Sequence, residues 1–293
     1  MLNQSTFTLI NPLNRNLAFK YLEFEDNSFF DHIQRDSYFS LIWVTHGNGK
    51  LKADFADYDF DANSLFAFSP YQPYMFSSIS GIKGIAIYFH PEFFCIYKHH
   101  KEVSSNGVLY NNIYQPPFVA VDESSATTFK MLAEEIKTEM QKPELAQHEL
   151  LVSYLKIFLI NAARLKTQQQ PAAAESVTDD KEPFILQKLK DAIEANFKTK
   201  HSPADYAALL YISPKALAKV TKSHFNKTLS SLINERIIIE AKRELYLTNK
   251  TVKEIAWELG YEDEYYFSRF FKVNADVSPQ LYRETVGYAR AMA

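Results

Sequence analysis

The chain has 293 residues, a net charge of −3, a single cysteine and seven glycines. That length favours two domains over one, since single cores stop growing near ~250–300 residues. So few glycines argue against phosphate-cradling loops: the only tight pair, Gly47 and Gly49, runs into Lys50-Leu51-Lys52 with no third glycine. Cys95 alone excludes an internal disulfide and any multi-cysteine zinc site. No stretch approaches the ~18 apolar residues of a membrane span, and the start Met1-Leu2-Asn3-Gln4-Ser5-Thr6 lacks the basic-then-apolar order of a signal peptide. A soluble, cytoplasmic chain with no membrane contact is expected.

From Tyr38 to His90 the pattern has period two. Ser40 to Thr45 reads as a buried strand. Lys50 to Phe55 reads as a half-buried one, with Leu51, Ala53 and Phe55 on one face and His46-Gly47-Asn48-Gly49 as the hairpin turn between the two. Further strands are predicted at 64–68, 74–77 and 82–89, so the region reads as a small antiparallel sandwich or barrel able to hold one small ligand. From Glu123 to Lys166 the period changes to 3.6. Phe129, Leu132, Ala133 and Ile136 form one apolar stripe, Pro143 breaks the run, and Leu151, Tyr154, Leu155, Phe158 and Ala162 form a second. These helices would cap the barrel, form a dimer seam, or pack on their own domain. His46, His90, His99 and His100 do not form the His-x-His pair of barrel metalloenzymes, so neither metal, cofactor nor catalysis is expected. Cys95 reads as a small buried hydrophobe.

Residues 168–182 are polar with one proline and one branched apolar residue, which is linker composition. Charge changes sign across this segment. Residues 1–182 hold 15 Lys and Arg against 22 Asp and Glu, net −7, whereas residues 183–293 hold 17 against 13, net +4. Only the back half is suited to a polyanion. The expected domains are therefore 1–167 and 183–293, an α+β multidomain architecture.

The back half contains a repeat with a period of about fifty residues. Leu217-Ala218-Lys219-Val220-Thr221-Lys222 aligns with Phe267-Ser268-Arg269-Phe270-Phe271-Lys272. Tyr206-Ala207-Ala208-Leu209-Leu210 likewise aligns with Ile255-Ala256-Trp257-Glu258-Leu259. Asn226 and Asp276 follow each lysine by four residues, where a helix must end, and Thr228 and Ser278 are caps for the next one. Ser202-Pro203 and Ser213-Pro214 open the two helices of the first copy. Thr251 with Glu254, Gly260 and Glu262-Asp263-Glu264 punctuate the second. Each copy reads as helix, turn, helix, over about 202–225 and 251–272. Between them, Thr228 to Leu247 is an unbroken helical pattern, a rod of about 30 Å. DNA major grooves on one face repeat at ~34 Å, so one chain would present two recognition helices to adjacent grooves. Leu217, Val220, Phe267, Phe270 and Trp257 read as core.

Ala241-Lys242, the run from Thr251 to Tyr261, the run from Tyr266 to Lys272, and Ser278-Pro279-Gln280-Leu281-Tyr282-Arg283 resemble the AraC/XylS family of bacterial transcription regulators. The front half resembles that family's cupin-like effector and dimerisation domain in general form. Asn226 and Asp276 stand where glycine is often found, and Thr221 stands at a position usually aromatic. The resemblance implies base contacts from Lys215 and Lys219 in the first copy and from Tyr265 and Arg269 in the second, with Ser213 and Ala216 adding a hydrogen bond and a thymine-methyl contact. Lys222, Lys227, Thr228, Lys272 and Ser278 would hold phosphates. It further implies a homodimer that binds double-stranded promoter DNA and meets RNA polymerase, with a small-molecule effector in the front domain. Trp43, Tyr74 and His90 are candidates for that effector pocket, against plain barrel core. The alternatives are a regulator controlled by a protein docking on the front domain, and a DNA-binding cupin enzyme.

Overall fold

The computed structural model describes residues 5–12, 14–54, 56–78, 80–96, 107–142, 144–169 and 182–287. They fall into two compact units. One runs to residue 169 less residues 113–115, and the other takes in 113–115 and 182–287. Most of the expected linker lies outside the described residues, as do Phe55, His99, His100 and Pro143.

Among the described residues the first unit begins with nine strands: β1 (Thr6–Ile10), β2 (Leu17–Phe24), β3 (Phe39–His46), β4 (Gly49–Ala53), β5 (Ala56–Phe60), β6 (Ser64–Phe68), β7 (Tyr74–Ser77), β8 (Lys83–Phe89) and β9 (Phe118–Ala120). They form two antiparallel sheets, a six-stranded one ordered β1-β2-β8-β3-β6-β9 and a three-stranded one ordered β5-β4-β7. Period-two alternation explains why the large sheet is buried on both faces. In β3, Ile42 and Val44 join Phe66, Phe76 and Leu51 between the sheets, whereas Leu41 and Trp43 join a separate cluster that contains the helices. The turn expected at Gly47 and Gly49 exists, and Gly47 has φ 90°. It is not a hairpin, because β3 pairs with β6 and β8 while β4 pairs with β5 and β7, so the turn carries the chain from one sheet to the other.

Two helices, α1 (Glu123–Gln141) and α2 (Gln147–Gln168), follow. Phe129, Leu132, Ala133 and Ile136 meet Leu151, Leu155, Phe158 and Ala162 in the same buried cluster as Trp43, so both apolar stripes pack on their own domain. Tyr154 is only partly buried, with its hydroxyl donating to Glu135 at 3.2 Å. Cys95 is also only partly buried.

The second unit is helical: α3 (Glu182–Asn196), α4 (Pro203–Leu210), α5 (Pro214–Phe225), α6 (Leu229–Leu247), α7 (Val252–Glu258), α8 (Glu264–Ala275) and α9 (Pro279–Val286). Capping residues set nearly every boundary. Ser202 with Asp205 and Thr251 with Glu254 form reciprocal capping boxes at α4 and α7. Ser213, Thr228 and Ser278 each accept from a backbone N–H three residues on. Asn226 (φ 55°) and Asp276 (φ 61°) end α5 and α8 in the left-handed region that these residue types tolerate. Gly260 (φ 79°) has a further constraint, since a Cβ there would stand 2.2 Å from the Lys198 carbonyl oxygen. The helical rod α6 packs against the second helix of each copy.

Candidate nucleic-acid interface

Helical periodicity gives α5 and α8 an inner and an outer side. Leu217, Thr221 and Phe225 are buried on α5, and Phe267, Phe271 and Ala275 are buried on α8. The two inner faces are matched in volume by an exchange. The first copy places Thr221 one turn before Phe225, whereas the second places Phe271 one turn before Ala275. Thr221 is small enough to turn its hydroxyl back to the Leu217 carbonyl, at 2.7 Å. This accounts for a threonine where the family resemblance leads one to expect an aromatic.

Lys215, Ala216, Lys219 and Lys222 are exposed on α5, and Tyr265, Arg269 and Lys272 are exposed on α8. Ser213 accepts the Ala216 amide at 3.3 Å while keeping its own proton to donate. Thr228 is exposed and Ser278 half-buried, each engaged as a cap. Helix α5 carries no acidic residue. At α8 the Asp263 carboxylate accepts from the Tyr265 and Tyr266 amides at 2.6 and 2.9 Å, and these backbone bonds hold its pKa below the usual carboxylate range.

Folding sorts the cations into two groups. Along α6, Arg236 pairs with Glu194 (2.8 Å) and Glu240 (3.2 Å), and Arg243 pairs with Glu240 and Glu244 (both 2.7 Å). Lys250 bridges Glu244 (2.8 Å) and Glu258 (2.6 Å), which ties α6 to α7. Burial pushes the Glu240 carboxyl toward the neutral form, but hydrogen bonds and charge from Arg243 and Arg236 outweigh it and lower its pKa. Glu194, Glu235, Glu240, Glu244 and Glu258 are thus engaged with structural cations, while Lys215, Lys219, Arg269 and Lys272 remain on the outer faces.

Three expectations need correction. Lys227 does not face phosphate: it is 4% exposed, and its Nζ lies 2.6 Å from Glu235, so its charge is spent inside the fold. Trp257 is not core; it is 57% exposed, with the Lys253 Nζ 4.7 Å over its ring. Val220 and Phe270 are half-buried rather than core.

The three candidate effector residues are not brought together. Trp43 packs edge-on to Phe129 at 6.0 Å, on the helix side of the large sheet. Tyr74 lies between the sheets, stacked on Phe68 at 4.0 Å, where burial pushes its hydroxyl pKa up. His90 lines a cavity of about 390 Å³ together with Leu9, Asn16, Glu92, Phe93 and His148. Those partners come from segments spread between residues 9 and 148, and sequence carries no local signal of such an assembly. Among the described residues no group of His, Cys, Asp or Glu is placed to hold a metal ion, and no helix is long and apolar enough to cross a membrane.

Two protein-family descriptions match the chain: an AraC-like ligand binding domain over residues 16–148 and a helix-turn-helix domain over residues 206–285. The uncharacterized HTH-type transcriptional regulator YfiF of Bacillus subtilis is 23% identical over 285 residues, 89% of this chain and 85% of that protein. The HTH-type transcriptional activator AarP of Providencia stuartii is 30% identical over 99 residues, 34% of this chain and 73% of its own length. For several other curated relatives the chain spans less than half of their length. The crystal structure of an apo ToxT variant from Vibrio cholerae covers 97% of both chains at 17% identity, with a TM-score of 0.40.

Proposed function

Because the chain belongs to the AraC/XylS family of DNA-binding transcription regulators, we propose that a single copy reads two consecutive turns of one DNA face. Helix α5 would lie in one major groove and α8 in the next. In this reading Arg269 pairs bidentately with guanine O6 and N7, and Lys215 and Lys219 read their groove less selectively. Tyr265, Ser213 and Ala216 complete the base contacts, and Lys222, Lys272, Thr228 and Ser278 anchor phosphates. Lys227 is left out.

The observation that carries the reading is the shared rod. Helix α6 has 19 residues, about 28 Å at ~1.5 Å per residue, and it packs against both recognition helices. The groove repeat of ~34 Å matches a pair of reading helices held by a spacer of that size. Residues 1–167 would act as a sensor of a small molecule, biasing the protein between DNA-binding arrangements rather than doing chemistry. Selection of bound duplexes from a randomised pool tests the DNA part. The expected motif has two blocks with centres about ten base pairs apart. A single block, or two blocks at variable spacing, would overturn it.

A further inference from the structure

The space between the two sheets is packed with aromatic rings. Phe66 meets Phe76 at 4.8 Å and Phe60 at 5.1 Å, and Tyr74 lies flat on Phe68. The cavity that contains His90 lies elsewhere, beside the turn joining β1 to β2, under residues 90–93 that follow β8, and against the first residues of α2. We propose that this cavity is the effector site and that its ligand is a small organic amine with an apolar body. The proposal rests on the reading of residues 1–167 as a sensor and adds to it a place and a ligand class.

Size, lining and charge support it. A volume of about 390 Å³ is roughly that of a dozen waters at ~30 Å³ each, within the range of small-molecule sites. Leu9, Leu17 and Phe93 form an apolar wall, and the His148 ring meets Phe93 edge-on at 4.6 Å, an aromatic corner suited to a flat or branched hydrocarbon body. Among the described residues that line the cavity, Glu92 is the one carboxylate, the histidines His90 and His148 are the other ionisable groups, and there is no lysine or arginine. An anionic ligand would bring like charge to that carboxylate with no lysine or arginine among the described lining residues to offset it, whereas an ammonium group gains a charge-assisted hydrogen bond.

The Glu92 carboxylate is also held in place. Asn14 donates to its Oε2 at 2.8 Å, His90 Nδ1 lies 3.7 Å from the same oxygen, and the Glu92 backbone amide donates to that ring nitrogen at 3.3 Å. The His90 backbone amide in turn donates to the Ala18 carbonyl at 2.9 Å, fixing this segment to β2. Both contacts fall on Oε2, and a carboxylate has about four lone-pair positions over its two oxygens, so an ammonium can still be accepted.

The test uses the full chain and three probes of nearly equal shape: 2-phenylethylamine, 2-phenylethanol and 3-phenylpropanoate. Thermal melting is read for the wild type, for Glu92→Gln and for Asn16→Trp, which fills the cavity from an exposed position whose hydrogen bonds are made by its backbone. The amine should raise the wild-type midpoint by several degrees at saturation, and Glu92→Gln should weaken its affinity tenfold or more. Asn16→Trp should abolish the shift. Midpoints without ligand report whether each variant is folded. A shift that survives in both variants places the amine elsewhere, which overturns the site but leaves the sensor reading standing. A shift with the alcohol or carboxylate that Asn16→Trp removes overturns the amine assignment and keeps the cavity. No shift with any probe overturns both site and ligand class. The sensor reading is then judged separately, by whether metabolite extracts change the affinity of the full chain for its selected DNA.

Discussion

The two helix-turn-helix copies have one backbone plan and different chemistry. The outer side of α5 carries lysines and no acid, whereas that of α8 carries Tyr265, Arg269 and Lys272 after an acidic start at Asp263 and Glu264. A lysine is a mobile point charge that suits phosphate and tolerates many bases. An arginine fork beside an aromatic ring is planar and directional. The difference suggests a division of labour, with the first copy supplying affinity and the second discrimination. Their interiors differ as well, by the Thr221 and Phe225 against Phe271 and Ala275 exchange, so the second helix of a repeat can conserve packed volume while its buried residues change.

The largest expected effects test that exchange. Phe225→Ala and Phe271→Ala should each cost ~3–5 kcal/mol of stability in chemical denaturation. Thr221→Phe alone should cost ~1–3 kcal/mol by overpacking. In the double variant Thr221→Phe with Phe225→Ala, much of the loss should return, and simple additivity would show that the two positions do not share one volume. Next comes the turn. Gly260→Ala meets both a positive φ and the Lys198 carbonyl, and should destabilise by ~2 kcal/mol or more. Tyr211→Ala, at the exposed turn of the first copy with φ 54°, should change stability by under ~0.5 kcal/mol.

Effects on DNA binding are smaller than those of the phenylalanine truncations. Arg269→Ala should weaken binding by ~1–3 kcal/mol and relax a single base position in a selected motif. Lys222→Ala should weaken all sequences alike and reduce the salt slope by about 1. If the lysine variant also relaxed a base position, the division of labour would be wrong. The smallest effect concerns the caps. Asp263 has its folded pKa lowered, so its contribution is present above the ordinary aspartate value of ~3.9 and fades as pH falls through the lower folded value. Ser213 caps α5 with a hydroxyl that does not titrate. Hydrogen exchange at pH 3 should therefore show α8 loosening before α5, and Asp263→Ser should remove that order.

The helical half was legible because its signals are local. Ser202, Ser213, Thr228, Thr251 and Ser278 announce helix starts, and the fifty-residue repeat aligns the copies. Residue type misleads where burial depends on distant partners. Trp257 looks like core by type, yet nothing covers most of its ring, and Lys227 looks like a surface cation, yet Glu235 draws it inward. In the front half, β2 escaped notice because both of its faces are covered, leaving no polar alternation from Leu17 to Phe24. Strand β9 is three residues long, too short to carry a pattern. The cavity was the least legible feature, since Leu9, Glu92 and His148 become neighbours only through the fold.

The rod α6 has a consequence for how target sites can change over time. Each base pair inserted between the two blocks adds about 3.4 Å of length and about 35° of rotation. A single helix of 19 residues cannot stretch or twist to follow either. Binding sites should thus drift by base substitution within each block while the gap between blocks stays constant, and one inserted base pair should cost more than a mismatch in either block.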